Sequence, residues 1–527
     1  PTPTPTPVFS PTPVPTPTGS STGWTQHGAN AQRTSYTDEE VSLPWKWKWS
    51  WNGSNASGGV VSGKFSLPRG IQPIIGNGKV YIAAGSRGVY AINLQTGAED
   101  WNFNNATVNS TVAYDNGFVY ALATNGTLYK INAQNGNIQQ PTFSLNASSS
   151  LPLPPAIHQN TVFVAMGNNV YAVNKDTMQQ VWVYQTGGSQ VATPPAYSAS
   201  RNKVVVVTQD LYVHAINNSN GSQSFIVKPT PRNGGNPSSD NKNLAEATYG
   251  WPVIADIHGY VLVKYRLDWE TMWTFGKWPT NNTTIRSNLQ SNPEEQALYV
   301  IDLDNGSNPF IANIGHGGWG NGGYMPMGPM PVVKNFDNGT EVVYTVIRGD
   351  NQPGDDGRGD SQFGEMVLDN TTISGLQAGY IRWIQYCNYG WTQNSNCNMQ
   401  PTDEQPFVSM AGNHLFGAHW IMGMALNIND RDASRGTYTT PITSSAIPNF
   451  AIVTNSEGVG APFSKTHFTA NEFGAATTGE WRALPYGFYI YWNQGRVYDT
   501  YWNGYASFVI GENTVIYTGT DGSVNAV

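Results

Sequence analysis

Short apolar runs broken by polar turns recur along most of this chain. Val89-Tyr90-Ala91-Ile92-Asn93 runs into a turn carrying Thr96 and Gly97, and Trp101 follows eight positions after the Asn. The same figure joins Val170–Asn174 to Trp182, Val213–Asn217 to Phe225 and Tyr299–Asp302 to Phe310. A weaker copy, Leu128–Asn132 with Gly136, has Gln140 at the aromatic position, and Met178 replaces the turn glycine in the third copy. Runs of this length bounded by Asn, Thr and Gly predict strands. Asn bonds to its own backbone and Gly takes positive φ, so each copy predicts a hairpin whose aromatic sits on the returning strand. Trp45-Lys46-Trp47-Lys48-Trp49-Ser50-Trp51 alternates with period two, which predicts one more strand, with its rings on one face and its lysines in solvent.

A single hairpin cannot bury both of its faces. Units recurring every 40 to 50 residues therefore predict a radial all-β stack. The copies resemble the repeat of PQQ-like eight-bladed β-propellers, a resemblance that runs from Trp24 onward. It implies an all-β, eight-bladed β-propeller, with seven blades as the alternative, and Trp101, Trp182, Phe225 and Phe310 as docking residues between blades. Trp24 to Thr34 looks like the family's leading segment, which lies across the propeller before its first strand. Blade cores are expected from near Ile71, Asn109, Leu151, Ala192, Gly250, Met327, Gln405 and Tyr505. The chain ends after a third strand of the repeat, so Trp45 to Trp51 is expected to supply the fourth, closing the ring and covering two sheet edges.

Residues 1–23 read as a Pro/Thr-rich extended stalk or linker, because alternating proline favours polyproline II and buries nothing. Residues 24–527 read as one propeller domain with insertions near 265–294, 349–363 and 427–501. Connections this long in a propeller are usually functional.

Only 12% of residues are charged and the net charge is −8, with no basic run, which argues against nucleic acid as a partner. No stretch of 18 apolar residues offers a transmembrane segment. The start at Pro1 fits a processed, exported chain, extracellular or at the cell surface. Its tail suits either a spacer behind a lipidated residue preceding Pro1 or an ordinary disordered leader. Sequons such as Asn52, Asn105, Asn125, Asn146, Asn282, Asn338 and Asn370 are open to glycosylation in a glycoprotein, or arise by chance in an Asn-rich chain. In an exported protein Cys387 and Cys397 are expected to pair as a disulfide.

Candidate chemistry is sparse. PQQ-dependent alcohol dehydrogenases use this fold with Ca²⁺, a catalytic Asp and adjacent cysteines, but here the two cysteines are ten apart and no matching Glu, Asn and Asp set can be placed. Asp350, Asp355, Asp356 and Asp360 crowd a Gly- and Pro-containing loop, the oxygen-rich setting Ca²⁺ prefers, although solvated turn acids read the same way. His316 lies in a Gly-rich segment that could line the channel, and His414 and His419 fall on opposite faces of a strand. Trp481, Tyr489 and Trp492 concentrate aromatic surface inside the longest insertion, which points to a protein contact or a sugar platform.

Three functions follow as expectations. The first is a non-catalytic surface propeller, an interaction or structural module that joins a protein partner or self-assembles. The second is a PQQ- and Ca²⁺-dependent dehydrogenase, and the third a glycan-binding lectin.

Overall fold

The computed structural model describes residues 23–40, 48–51, 67–68, 70–150, 152–237, 243–248, 250–268, 282–314, 330–348, 361–383, 408–419, 422–428, 480–483, 488–491, 508–518 and 524–526. Its repeated unit is an antiparallel meander of four short strands. Sheet one is Ile74–Gly76, Lys79–Ala83, Val89–Asn93 and Glu99–Phe103. Sheets two, three and four repeat that order over Ala113–Ser144, Ala156–Gln185 and Ala196–Val227. Sheet five has three strands, Val253–Ala255, Tyr260–Lys264 and Leu298–Asp302, and sheet six has four, from Val332–Asn335 to Ile381–Trp383. Sheet seven joins Ser409–Ala411, His414–His419 and Met422–Asn427 to Tyr36–Thr37, which runs parallel to its inner strand.

The inner strands stand side by side in chain order, and Phe508–Gly511 of sheet eight lies against Ile74–Gly76. The result is an all-β propeller. Seven sheets have four strands, which is the alternative count, and the expected eight complete blades are corrected accordingly: among the described residues sheet five has three strands, and sheet seven reaches four only through Tyr36–Thr37 on its inner side. The helix α1, Asn282–Ser291, lies in the connection between the second and third strands of sheet five and packs on Ile311, past the third strand. The Asn282 amide binds both backbone groups of Ile381 on sheet six, while Arg286 donates to Ile311 O and Ala378 O, so the helix bridges the two sheets with side chains where a strand would use its backbone. Asn282 is thereby committed to the fold rather than free as a sequon.

Sheet eight takes its outer strand from the other end of the chain. Trp49–Trp51 pairs antiparallel with Val524–Ala526. The indole of Trp49 is buried against sheet one, donating to Leu94 O at 2.9 Å.

Neighbouring sheets meet through one repeated contact. Trp101 Nε1 donates to Ala133 O at 2.9 Å and Trp182 Nε1 to Asn218 O at 2.7 Å, each ring covering a turn glycine of the next sheet. A Cβ added at Gly136 or Gly221 would lie 2.9 or 2.8 Å from the ring of Trp101 or Trp182. Phe225 lies over Gly306 and Phe310 against Gly379 in the same manner. Both requirements converge on Gly221, whose φ is +72° and whose Cα face is covered. Gly221→Val is expected to cost about 3 kcal/mol from left-handed strain and steric overlap together, read as a lower denaturation midpoint. An unchanged midpoint would remove the packing argument for the joint.

Candidate functional site

The centre of the ring is filled by the chain's own beginning. Residues 24–35 run across the channel and meet the inner strands in turn. Ile75 N donates to Trp24 O at 2.8 Å, Tyr114 N to Thr25 O at 2.8 Å, Tyr197 N to Ala31 O at 2.8 Å, Ile254 N to Gln32 O at 2.9 Å, Val333 N to Thr34 O at 3.0 Å and Met410 N to Ser35 O at 2.8 Å. At sheet three the Gln26 amide takes both roles, accepting from Ile157 N at 2.7 Å and donating to Ile157 O at 3.0 Å. Gly23 lies against Gly511 of sheet eight so closely that a Cβ there would meet its Cα at 2.8 Å. The inner strands converge on this segment, and it satisfies backbone donors that no neighbouring strand can reach.

Arg33 is the hub of the segment. Its guanidinium is fully buried and donates to His27 O at 2.7 Å, Pro195 O at 2.9 Å, Pro154 O at 3.0 Å and Pro155 O at 3.1 Å. Desolvation brings its pKa down to about 9. A planar fork of five donors suits carbonyls arriving from several directions, which a lysine could not serve. His27 meets Trp251 edge to face at 4.6 Å, and burial, then the Arg33 charge, holds its pKa well below the usual histidine value, so the ring stays neutral.

His27 also forms part of the wall of a cavity of about 280 Å³ at the channel mouth. Its polar lining comes from Asn109, Ser110, Thr111, Gln190, Gln209 and Thr248, and its apolar lining includes Ile71, Leu153, Met166 and Val191. Among the described residues no Asp, Glu, Lys or Arg contributes. These residues precede inner strands or lie between second and third strands, so antiparallel connectivity puts both kinds of connection at one end of the ring. The insertions near 265–294 and 349–363 leave and rejoin the sheets at that end. The one near 427–501 returns there, at Phe508.

The expected sites fall partly outside the described residues. Asp350, Asp355, Asp356, Asp360, Cys387, Cys397, His316 and Trp492 all lie outside them. Trp481 and Tyr489 belong to an antiparallel hairpin, Glu480–Ala483 with Phe488–Tyr491, in which Trp481 pairs with Ile490 and Arg482 with Tyr489. His414 Nδ1 meets Glu40 at 2.9 Å.

Sequence reasoning missed a second cluster, at the opposite end of the ring. His258, in the first turn of sheet five, bridges two carboxylates of sheet six, Glu341 at 2.8 Å and Asp369 at 3.0 Å. Burial alone would lower its pKa, but the bonds to Glu341 and Asp369 outweigh it and raise the value above 6.5. Hydrogen bonds from His258 and from Thr371 and Thr372 hold Asp369 below the usual carboxylate range. Arg201 of sheet four and the stacked Tyr260 complete the surroundings. Because the folded pKa is the higher one, the bridge contributes fully below about pH 6.5 and is lost as pH rises through the folded value. The difference in melting temperature between the wild type and His258→Gln is therefore expected to be largest near pH 5.5 and to narrow by pH 8.5. A constant difference would mean that the imidazole is not charged in the fold. The signal was spread over residues 258, 341 and 369, which no local motif connects.

The chain is a β-propeller whose axis is plugged by its own residues 24–35. Residues 46–139 and 140–255 match the family model PQQ_2, described as outer membrane protein assembly factor BamB. No curated protein matches the chain. Among solved structures the chain is similar to BamB from Moraxella catarrhalis, at 12% identity and a TM-score of 0.44, covering 88% of this chain and 97% of that one. It is also similar to the quinohemoprotein alcohol dehydrogenase from Comamonas testosteroni, at 13% identity and a TM-score of 0.45 over 77% and 71% of the two chains. The computationally designed Ika8 protein gives 11% identity and a TM-score of 0.45 over 88% and 98%.

The described residues can be tested against a quinone cofactor. Ca²⁺ asks for carboxylate and carbonyl oxygens, and a multiply charged quinone acid asks for cations; the cavity lining supplies neither carboxylate nor cation. Among the described residues no group of three His, Cys, Asp or Glu could hold a metal ion. The lining formed by the described residues does not fit the cofactor.

Proposed function

We propose that this chain is a non-catalytic, extracellular or cell-surface β-propeller acting as a protein-interaction or structural module within a larger surface assembly. The observation that supports it is the channel: its own leading segment fills the axis, and the mouth presents uncharged hydrogen-bonding groups to solvent. On this reading the recognition face is the cavity end, where long connections gather, with Trp481, Tyr489 and Trp492 as contacts. The loop of Asp350, Asp355, Asp356 and Asp360 would take Ca²⁺, Cys387 and Cys397 would form a disulfide, and the Pro/Thr stalk would hold the propeller away from an anchor. No helix among the described residues is long and apolar enough to cross a membrane.

The purified chain is to be incubated with PQQ, Ca²⁺ and a panel of alcohols and aldoses. Dye reduction is expected to stay at background, and reduction above it would overturn the reading in favour of a dehydrogenase. The neutral polar lining of the cavity also suits an uncharged sugar. Retention on a glycan array, lost in Gln209→Ala, would favour the lectin reading.

A further inference from the structure

The outer strand of a propeller sheet has no partner on its far side, and proteins blunt such edges with charge, proline or shortness. Most outer strands here conform. Glu99–Phe103 begins with two acids, Ile138–Ser144 is broken by Pro141 and a register shift between Gln139 and Phe143, and Ile381–Trp383 is three residues long with Arg382 in its middle. Gln223–Val227 is short and followed by Lys228, and Trp49–Trp51 is preceded by Lys48.

Gln179–Gln185 on sheet three shares the register shift, which leaves Val181 unpaired opposite Ala172 and Val173, but it lacks the other two devices, charge and proline, as does Met422–Asn427 on sheet seven. The sheet-three strand, seven residues reading Gln-Gln-Val-Trp-Val-Tyr-Gln, ends its sheet among the described residues. Trp182 and Tyr184 are buried toward sheet four, where they meet Asn218 O and His214. Val181 and Val183, on the other face, are 55% and 40% exposed. Two β-branched residues side by side on a free, neutral edge match what a pairing strand requires.

We propose that this edge pairs antiparallel with the same strand of a second copy of the chain, about a two-fold axis through Trp182. The segment reads nearly the same in both directions from that residue. Val181, at the register shift, then lies beside Val183 of the other copy, so the valines of both copies form one apolar cluster next to the axis. Residue i meeting j while j meets i is the condition for an isologous contact, and a neutral strand brings no like-charge repulsion to oppose it. Two four-stranded sheets become one continuous sheet. The rim is separate from the cavity face, so the dimer does not depend on what that face binds.

The test is sedimentation velocity on the full chain over a concentration series, with Val181→Lys/Val183→Lys and Val181→Thr/Val183→Thr beside the wild type. One strand pair is a small interface, so the dimer is expected on the order of 10 µM. The lysine pair should be monomeric at all concentrations with an unchanged melting temperature, because both side chains are exposed in the monomer. The threonine pair should dimerise roughly tenfold more weakly. Wild type that stays monomeric into the high micromolar range overturns the proposal, as does a dimer that survives both lysines. Pairing of this strand only with a different protein, while the chain alone is monomeric, also overturns it.

Discussion

Replacing Arg33 by alanine is expected to lower the unfolding free energy by at least about 4 kcal/mol, the largest loss of any single substitution outside the aromatic joints. The side chain donates to four carbonyls, those of His27, Pro155 and Pro195 buried and that of Pro154 part-buried at the cavity wall, the three prolines lying just ahead of two inner strands. An acceptor left without a donor in a dry interior costs about 1–3 kcal/mol, and three would be left at once. Arg33→Lys should recover only part of the loss, because a single ammonium cannot serve carbonyls on several sides. Chemical denaturation of the three proteins measures this. If the alanine variant came within about 1 kcal/mol of the wild type, water would be replacing the guanidinium and the segment would not be a structural hub.

The second large effect concerns ring closure. Trp49→Ala is expected to cost about 4 kcal/mol and to promote aggregation. The indole is the joint between the last sheet and the first: it rests on Gly97, where an added Cβ would meet the ring at 2.6 Å, and donates to Leu94 O. Its loss frees the strand that covers Val524–Ala526 and leaves two edges able to pair with other molecules. Deleting residues 1–52 should show the same aggregation more strongly, since it also removes the channel segment. A soluble deletion variant with an unchanged melting temperature would contradict both the closure and the plug.

Much of this architecture was legible in the sequence because one joint is written repeatedly in the same letters. The aromatic eight residues after the turn Asn lies on the glycine of the next unit, as the Trp101 and Gly136 and the Trp182 and Gly221 contacts show, and Trp49 makes the same contact with Gly97 from the N-terminal strand. Two irregularities, Gln140 for an aromatic and Met178 for a glycine, occupy the matching positions of a single joint between sheets two and three. With no ring to seat, the turn does not need a bare Cα. Met178 adopts φ +53° and is buried in the cluster of Leu145, Tyr171 and Val173. The starts of the inner strands were anticipated to within a few residues, since x-Pro steps precede several of them.

What could not be read has a physical reason in each case. Sheet five has no outer strand among the described residues, and α1 ties Ile311 to sheet six through Asn282 and Arg286, by side chains bonding to backbone, which leave no periodic signal. Arg33 is one residue in a segment of small polar side chains, and its role depends on carbonyls more than 100 residues away. The His258 bridge joins three sequence-distant residues for the same reason. The acidic loop and the two cysteines were visible as compositions, and a composition does not fix geometry.

The chain seals its own channel with residues 24–35. Hydrogen exchange followed by mass spectrometry on a peptide spanning Trp24 to Thr37 tests it most directly. Within that peptide the amides of Gly28, Ala29, Arg33, Thr34 and Ser35 bond to Gln72, Gln26, Asn30 and Gly28, and these are expected to exchange as slowly as those of Val204–Val207, through unfolding of the whole ring. Exchange within seconds, while the sheets stay protected, would mean an open channel, and the case for a non-catalytic propeller would lose its support.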